Sequence, residues 1–175
     1  MEALDDKQIT VSAVSSVQLV MTEWTNYFTE EEVKLTLALA LNYCVNYHRL
    51  RIKAYLISRN RLFLMLYCWD IELDGVLLEL REQLKRQLKQ ELRLKRKKYK
   101  DDLDEEDIRE LLHAVFESRP FHNHELKQIL TGRDAVLPYY SKQLERLKWY
   151  VNHHEYCSLI DYKGGKGPVK VYMTK

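Results

Sequence analysis

The sequence predicts an α+β protein of two units: a small antiparallel sheet with two helices, followed by three short helices and a terminal hairpin. Runs rich in β-branched and aromatic residues alternate with apolar ladders at helical spacing in the first half of the chain. Further ladders and a glycine-rich turn fill the second half. The charge balance changes from 10 − 2 = +8 over residues 81–100 to 1 − 7 = −6 over residues 101–110. We take this change of sign as the boundary between units 1–100 and 101–175.

The first unit begins with a strand and a helix. Residues 15–24 alternate weakly between apolar and polar side chains, which predicts a strand. Thr29 precedes three glutamates, as expected of an N-cap followed by acids at the positive end of a helix dipole. Apolar residues at helical spacing extend this helix over residues 30–47.

A hairpin and a long helix complete the first unit. Residues 52–58 and 62–69 are β-rich and flank a polar turn, which predicts two paired strands. Residues 72–99 contain no proline and only one glycine, so we expect one long helix there. Its apolar ladder consists of Leu73, Leu77, Leu80, Leu84 and Leu88.

The second unit is predicted to start with three helices. The acidic segment 104–107 begins the first, whose apolar face continues to Phe116. A short helix over residues 123–130, capped by Asn123, follows. Pro138 suits the first turn of the third helix. Its predicted buried stripe is Tyr140, Leu144, Leu147 and Val151.

The end of the chain is predicted to form a hairpin. Residues 156–162 and 169–173 are β-rich and flank a turn, residues 163–168, that holds three glycines and a proline. Three helices followed by such a hairpin are the elements of a winged helix. We therefore expect a C-terminal winged-helix domain.

Composition and termini argue against several classes of protein. The three cysteines are widely spaced and odd in number, which predicts neither a disulfide framework nor a zinc cluster. The N-terminal residues 1–10 are acidic and polar, unlike a signal peptide, and no apolar segment is long enough to cross a bilayer. We therefore expect a cytoplasmic protein without a membrane partner.

No metal or cofactor is predicted. The histidines at 122, 124, 153 and 154 come in pairs, but zinc needs three or four converging ligands and no further ligand pattern completes a set. The glycines at 164–167 precede no helix whose N-terminus would bind the phosphates of a nucleotide.

Basic residues suggest a nucleic-acid surface in the second unit. The third helix carries cations opposite its predicted buried stripe, and the following turn adds more. In a helix-turn-helix protein the equivalent helix lies in the major groove, where cations contact phosphates. The predicted contact residues are Lys142, Arg146, Trp149, Lys163 and Lys166. The alternative is a solvated basic face on a scaffold that binds proteins.

The basic segment 93–98 allows two interpretations as well. It is either a second phosphate contact or a solvated helix end. The two basic zones would act together if they lay on one surface. We expect DNA as the partner, although a basic surface alone does not distinguish DNA from RNA.

The order strand, helix, IKAYLIS, RLFLMLY resembles the single-tyrosine transposases of the HUH superfamily, including those associated with repetitive extragenic palindromes. The resemblance spans about residues 17–84 and implies a ferredoxin-like, HUH-transposase-like sheet. Family members carry two metal-binding histidines on the second strand of the pair, after a Pro-Asn turn. Asn60 matches that turn, but Arg61 and Phe63 stand at the histidine positions.

This departure bears on catalysis. The family uses its metal to polarise a phosphate before a tyrosine attacks it, and arginine and phenylalanine cannot bind that metal. Tyr99 is the sole, weak candidate for the nucleophile on the later helix. The resemblance therefore implies a catalytically silent relative that kept a DNA-binding shape.

Three functions follow from these observations. The favoured one is non-enzymatic DNA binding, as a regulator or accessory factor linked to mobile DNA. The second is an assembly or adaptor module that forms a homodimer through the leucine ladder of residues 72–99. The third is a transposase that nicks single-stranded DNA with unrecognised ligands.

Overall fold

A computed structural model describes residues 13–99 and 103–173, without the side chains of residues 98 and 99. The strands are β1 (Val14–Met21), β2 (Ile52–Ile57), β3 (Arg61–Tyr67) and β4 (Phe116–Pro120). The helices are α1 (Glu30–Tyr47), α2 (Asp70–Tyr99), α3 (Glu105–Leu111), α4 (His124–Leu130), α5 (Lys142–Asn152) and α6 (Leu159–Tyr162), with a 3-10 helix at Glu23–Tyr27. The predicted α+β class is confirmed.

The four strands form one antiparallel sheet in the order β2-β3-β1-β4. The predicted β2-β3 hairpin is confirmed, and its turn is closed by a 2.8 Å bond from the Ser58 amide to the Arg61 carbonyl. β1 lies between β3 and β4, so that Val17 is opposite both Leu64 and Pro120. Elements from both sides of residue 100 therefore share one sheet.

Helices α1, α2 and α3 cover one face of the sheet. The Thr29 hydroxyl accepts a bond from the Glu32 amide, and the Glu32 carboxylate accepts one from the Thr29 amide, which confirms Thr29 as the cap of α1. Side chains of α1 and α2 pack on those of β1 and β3, with Leu19 and Leu64 fully buried. The predicted ladder of α2 is part of this core: Leu77, Leu80, Leu84 and Leu88 are at most 5% exposed.

Helices α4, α5 and α6 cover the other face. Strand side chains point alternately to the two faces, so Ala54 and Leu56 pack with this layer while Tyr55 between them packs with the first. Ser158 links the layers, because its hydroxyl donates to the Leu130 carbonyl at 2.7 Å and accepts from the Tyr55 amide at 3.0 Å.

The predicted helix reaching Phe116 is wrong in its second half. The helix ends at Leu111, with Leu112 as its C-cap, and the chain then enters β4. Ile108 and Leu112 are buried, as predicted, in the core between the sheet and helices α1 and α2. Val115 and Phe116 reach the same core from an extended backbone. The remaining residues of this edge strand, Glu117–Pro120, are exposed and include no second apolar residue at strand spacing except the terminal proline, so no alternation marked it in the sequence.

The predicted terminal hairpin is also wrong. Residues 159–162 form α6, and residues 169–173 form no strand. The tail lies on α1 instead: the Asn42 amide group donates to the Pro168 carbonyl at 2.8 Å, and its oxygen accepts from the Lys170 amide at 3.0 Å. The Tyr172 amide adds one backbone bond to the Ile52 carbonyl of β2 at 2.8 Å, and these contacts stand where a wing would need two paired strands.

Among the helices of residues 13–99 and 103–173, none combines the length and the apolar character that crossing a bilayer requires.

Candidate nucleic-acid interface

Helix α5 carries three of the five predicted contact residues and begins later than predicted. The Ser141 hydroxyl caps it by accepting a 3.2 Å bond from the Leu144 amide. Pro138 therefore lies before the helix and not in its first turn. Tyr140, predicted to be buried, is 82% exposed because it precedes the cap.

The faces of α5 are divided as the sequence predicts from Leu144 onward. Leu144 and Val151 are buried against α4 and the sheet. Lys142, Arg146 and Trp149 are exposed on the opposite face, at a spacing of four and three residues that aligns them along the helix. The structure thus brings three of the five predicted residues together.

Among the described residues, Lys142 and Arg146 of this face have no acidic partner. Glu145 forms its ion pair with Lys148, at 3.7 Å. Within the described residues no carboxylate pairs with Lys142 or Arg146, which leaves two exposed positive charges one helical turn apart.

Aromatic rings extend the surface. The ring of His153 stacks on Trp149 with centroids 4.5 Å apart, and its Nδ1 lies 2.7 Å from the Trp149 carbonyl. Tyr139 and Tyr140, just before α5, are 67% and 82% exposed. Sequence reasoning missed His153, Tyr139 and Tyr140 as members of this surface. For His153 the sequence did hold a signal, because it follows Trp149 at i, i+4 spacing.

The two predicted lysines of the glycine-rich turn lie at different distances from α5. The Lys163 ammonium donates to the Asn152 side-chain oxygen, so Lys163 joins the C-terminal end of α5. Lys166 is exposed in the turn and makes no hydrogen bond or ion pair with a described residue of α5. The structure therefore brings four of the five predicted residues to α5 or its end.

The Asp161 side chain stabilises the glycine-rich turn by a hydrogen bond to its backbone. The Gly167 amide donates to Oδ1 of Asp161 at 3.1 Å, and a side chain at 167 would collide with Oδ2 and with the Tyr55 hydroxyl. Burial raises the pKa of Asp161 above its usual value. Its Oδ2 is buried without a hydrogen-bond partner among the described residues.

The two residues that the resemblance aligned with metal-binding histidines, Arg61 and Phe63, lie in different surroundings. Arg61 is exposed at the start of β3. Phe63, half-buried, packs on the ring of Phe121 with centroids 5.1 Å apart. Phe121, a residue that sequence reasoning missed, thus packs beside Phe63 on β3.

The other residues considered for chemistry lie apart. The side chain of Tyr99 is outside the described part of the chain. The His154 ring bonds to the Ile57 carbonyl at the end of β2. Within residues 13–99 and 103–173, no three His, Cys, Asp or Glu side chains converge in a way that would hold a metal ion.

The basic end of α2 is partly neutralised by the acidic segment that follows it. Glu105 accepts a 2.7 Å bond from Arg93 and lies 3.3 Å from Arg96. The Arg93 hydrogen bond holds the pKa of Glu105 below its usual value. Lys95 bonds to Glu32 of α1 at 3.0 Å. Because α2 and α5 cover opposite faces of the sheet, the two predicted basic zones do not line one surface.

The chain matches no protein-family model, and comparisons with curated proteins and with solved structures also give no match. Its function is therefore inferred from the geometry and charge of its own residues.

Proposed function

We propose that the chain is a non-enzymatic DNA-binding protein, a regulator or accessory factor linked to mobile DNA, that holds its ligand on the exposed face of α5. The observation that carries the proposal is the pair of exposed cations, Lys142 and Arg146, without a described acidic partner. Binding of nucleic-acid phosphates to such cations is favourable, because each contact releases counterions from the nucleic acid. Trp149 beside them offers a ring on which a base can stack.

Kinship with a catalytically silent HUH transposase is the second part of the proposal. The order β1-α1-β2-β3-α2-β4, interrupted only by the 3-10 helix and α3, and the strand order β2-β3-β1-β4 support a ferredoxin-like sheet. The contact between Phe63 and Phe121 supports the absence of catalysis, since it occupies one histidine position with packed apolar rings. A non-enzymatic member would keep the sheet as a scaffold and use its surface.

The helix pair α4 and α5 supplies the docking mode. The two helices correspond to the last two of the three predicted for a winged helix, with α5 as the recognition helix, while α3 packs on the other face of the sheet. The wing is not part of the proposal, because α6 stands where its first strand was predicted. Lys163, at the end of α5, takes over the flanking contact that a wing would make.

Charge reversal on α5 tests the proposal. We expect Lys142→Glu/Arg146→Glu to weaken binding of a labelled short duplex in fluorescence anisotropy. The slope of log K against log salt should fall by about 2, one for each phosphate that the variant no longer neutralises. Lys142→Arg/Arg146→Lys is the matched control and should bind like the parent, since charge and not shape is required. Unchanged affinity and slope in the folded charge-reversed variant would contradict the assignment.

An adaptor function is the second candidate, but its dimer surface cannot be the predicted leucine ladder of α2. The leucine ladder of α2 is buried against the sheet, so it cannot pair with a second copy without opening the core. An exposed apolar stripe runs instead along α1 at four-residue spacing: Leu35, Leu39, Tyr43 and Tyr47. Light scattering discriminates the two functions, because a dimer indifferent to DNA would favour the adaptor.

A further inference from the structure

A second basic surface lies where α3 packs beside α2. Three cations of α2 and the exposed side of α3 enclose a groove of about 320 Å³. Its lining is Lys85, Arg86, Lys89, Ile108, Arg109, Leu112 and His113. We call it the α2–α3 groove. No carboxylate lines it.

The groove continues along α2 towards its C-terminal end. A neighbouring depression of about 420 Å³ shares Arg86 and Lys89 with it and adds Gln90, Arg93, Leu94 and Lys97. Positions 86, 89, 93 and 97 follow at three- and four-residue spacing, so they form one row on the helix surface. At 1.5 Å per residue the row is ~16 Å long, with steps of ~4.5–6 Å between cations.

The charge of this row is only partly compensated. Glu105 pairs with Arg93, Glu106 with Arg109, and Glu82 with Lys85 at the long distance of 3.8 Å. No carboxylate of the described residues is within ion-pair distance of Arg86, Lys89 or Lys97. A ligand for this surface must therefore be anionic.

The shape of the surface favours a phosphodiester strand over an acidic peptide. A helix-long row of cations at nearly even steps matches a polymer with evenly spaced charges. The apolar residues of the α2–α3 groove, Ile108 and Leu112, are 0% and 6% exposed. Leu94 of the neighbouring depression, at 60%, is the one exposed apolar side chain among the residues that line the two depressions, whereas a peptide needs a cluster of buried anchors. Arginines and lysines suffice for a phosphate backbone, which needs charge and hydrogen-bond donors.

The α2–α3 groove and α5 lie on opposite sides of the sheet. Side chains of α2 pack with Leu19 and Leu64 on one face of the sheet, whereas side chains of α5 pack with Leu56 on the other. A nucleic-acid segment on α5 therefore leaves the α2–α3 groove free. We propose that this groove holds a second nucleic-acid segment, so that one molecule bridges two segments; the bridging rests on the function proposed for α5.

Two charge-reversed variants, one for each surface, test this inference. Arg86→Glu/Lys89→Glu reverses two charges of the α2–α3 groove, and Lys142→Glu/Arg146→Glu reverses two charges of α5, so both variants change the net charge by the same amount. Each variant is measured by anisotropy with a short labelled duplex and by a bridging assay. In the bridging assay, beads that carry one duplex capture a second, fluorescent duplex only when protein links the two. Arg86→Lys/Lys89→Arg is the charge-preserving control.

We expect Arg86→Glu/Lys89→Glu to bind the short duplex but to lose capture of the second duplex, while its control captures it like the parent. Capture by Arg86→Glu/Lys89→Glu at the parent level would overturn the inference and leave the proposed function intact, since any bridging would then come from another contact. Capture that survives in Lys142→Glu/Arg146→Glu would overturn the bridging as well as the α5 assignment. Absence of binding by the parent protein would overturn both.

Discussion

Replacing Trp24 with phenylalanine probes the contact that joins the end of β1 to the segment before β4. The Trp24 side chain is fully buried in the 3-10 helix, and its indole nitrogen donates to the Val115 carbonyl at 2.8 Å. The Thr22 amide donates to the same carbonyl at 3.2 Å. The indole also meets the Phe28 ring edge to face, with centroids 5.7 Å apart.

The expected cost of this replacement has two parts. Removal of the indole hydrogen bond costs about 1 kcal/mol, because the carbonyl keeps the Thr22 amide as a donor. The smaller ring leaves a void in a close-packed core, which costs about 1–2 kcal/mol more. The sum of about 2–3 kcal/mol corresponds to a fall in Tm of about 4–12 °C for a chain of this length.

Unfolding by urea, followed by circular dichroism, measures this change without using the fluorophore that the substitution removes. The midpoint should fall for Trp24→Phe at an unchanged slope, since the surface exposed on unfolding stays the same. Trp69→Phe is the matched control: Trp69 is 61% exposed, so its variant should stay within about 0.5 kcal/mol of the parent. Equal midpoints for the two variants would refute the proposed contact between residues 24 and 115.

Two further predictions concern buried titratable groups. Burial raises the pKa of Asp161, so the native state binds a proton at this carboxyl more tightly than the unfolded chain does. The stability that this group contributes is therefore present at low pH and is lost as the pH rises through the raised pKa. Asp161→Asn should therefore be more stable than the parent at neutral pH in thermal unfolding, and a lower Tm would contradict this. Burial raises the pKa of all three thiols, that of Cys44 to about 11. Cys68 is half-buried whereas Cys44 and Cys157 are fully buried, so a thiol reagent at neutral pH should modify Cys68 first, and equal rates for all three would contradict the described burial.

The elements that local signals define were predictable. Thr29 with Glu32 forms the capping box of α1, and Asn123 caps α4 through the amide of Leu126 at 3.0 Å. Both follow from side chains that bond to backbone groups three residues away. The exposed face of α5 was predictable for the same reason, since helical spacing alone separates Lys142 and Arg146 from the buried Leu144.

Other features were decided by contacts between distant parts of the chain. Phe116 enters a strand because β1 offers its free edge about a hundred residues earlier in the sequence, and nothing within residues 116–120 encodes that partner. The tail after α6 lies on α1 because Asn42 bonds to its backbone on both sides of Val169. Backbone donors and acceptors are satisfied by whichever partner packing brings near, so a local β pattern does not determine strand pairing.

The sequence by itself determined the α+β class, the hairpin, the long helix and the cationic face of α5, because each depends on side-chain spacing within one segment. Only the tertiary structure decided that β4 completes the sheet and that Phe121 packs on Phe63. It also separated the two basic zones onto opposite faces of the sheet. That separation depends on the face to which each helix packs, which is a property of the whole core and not of any one segment.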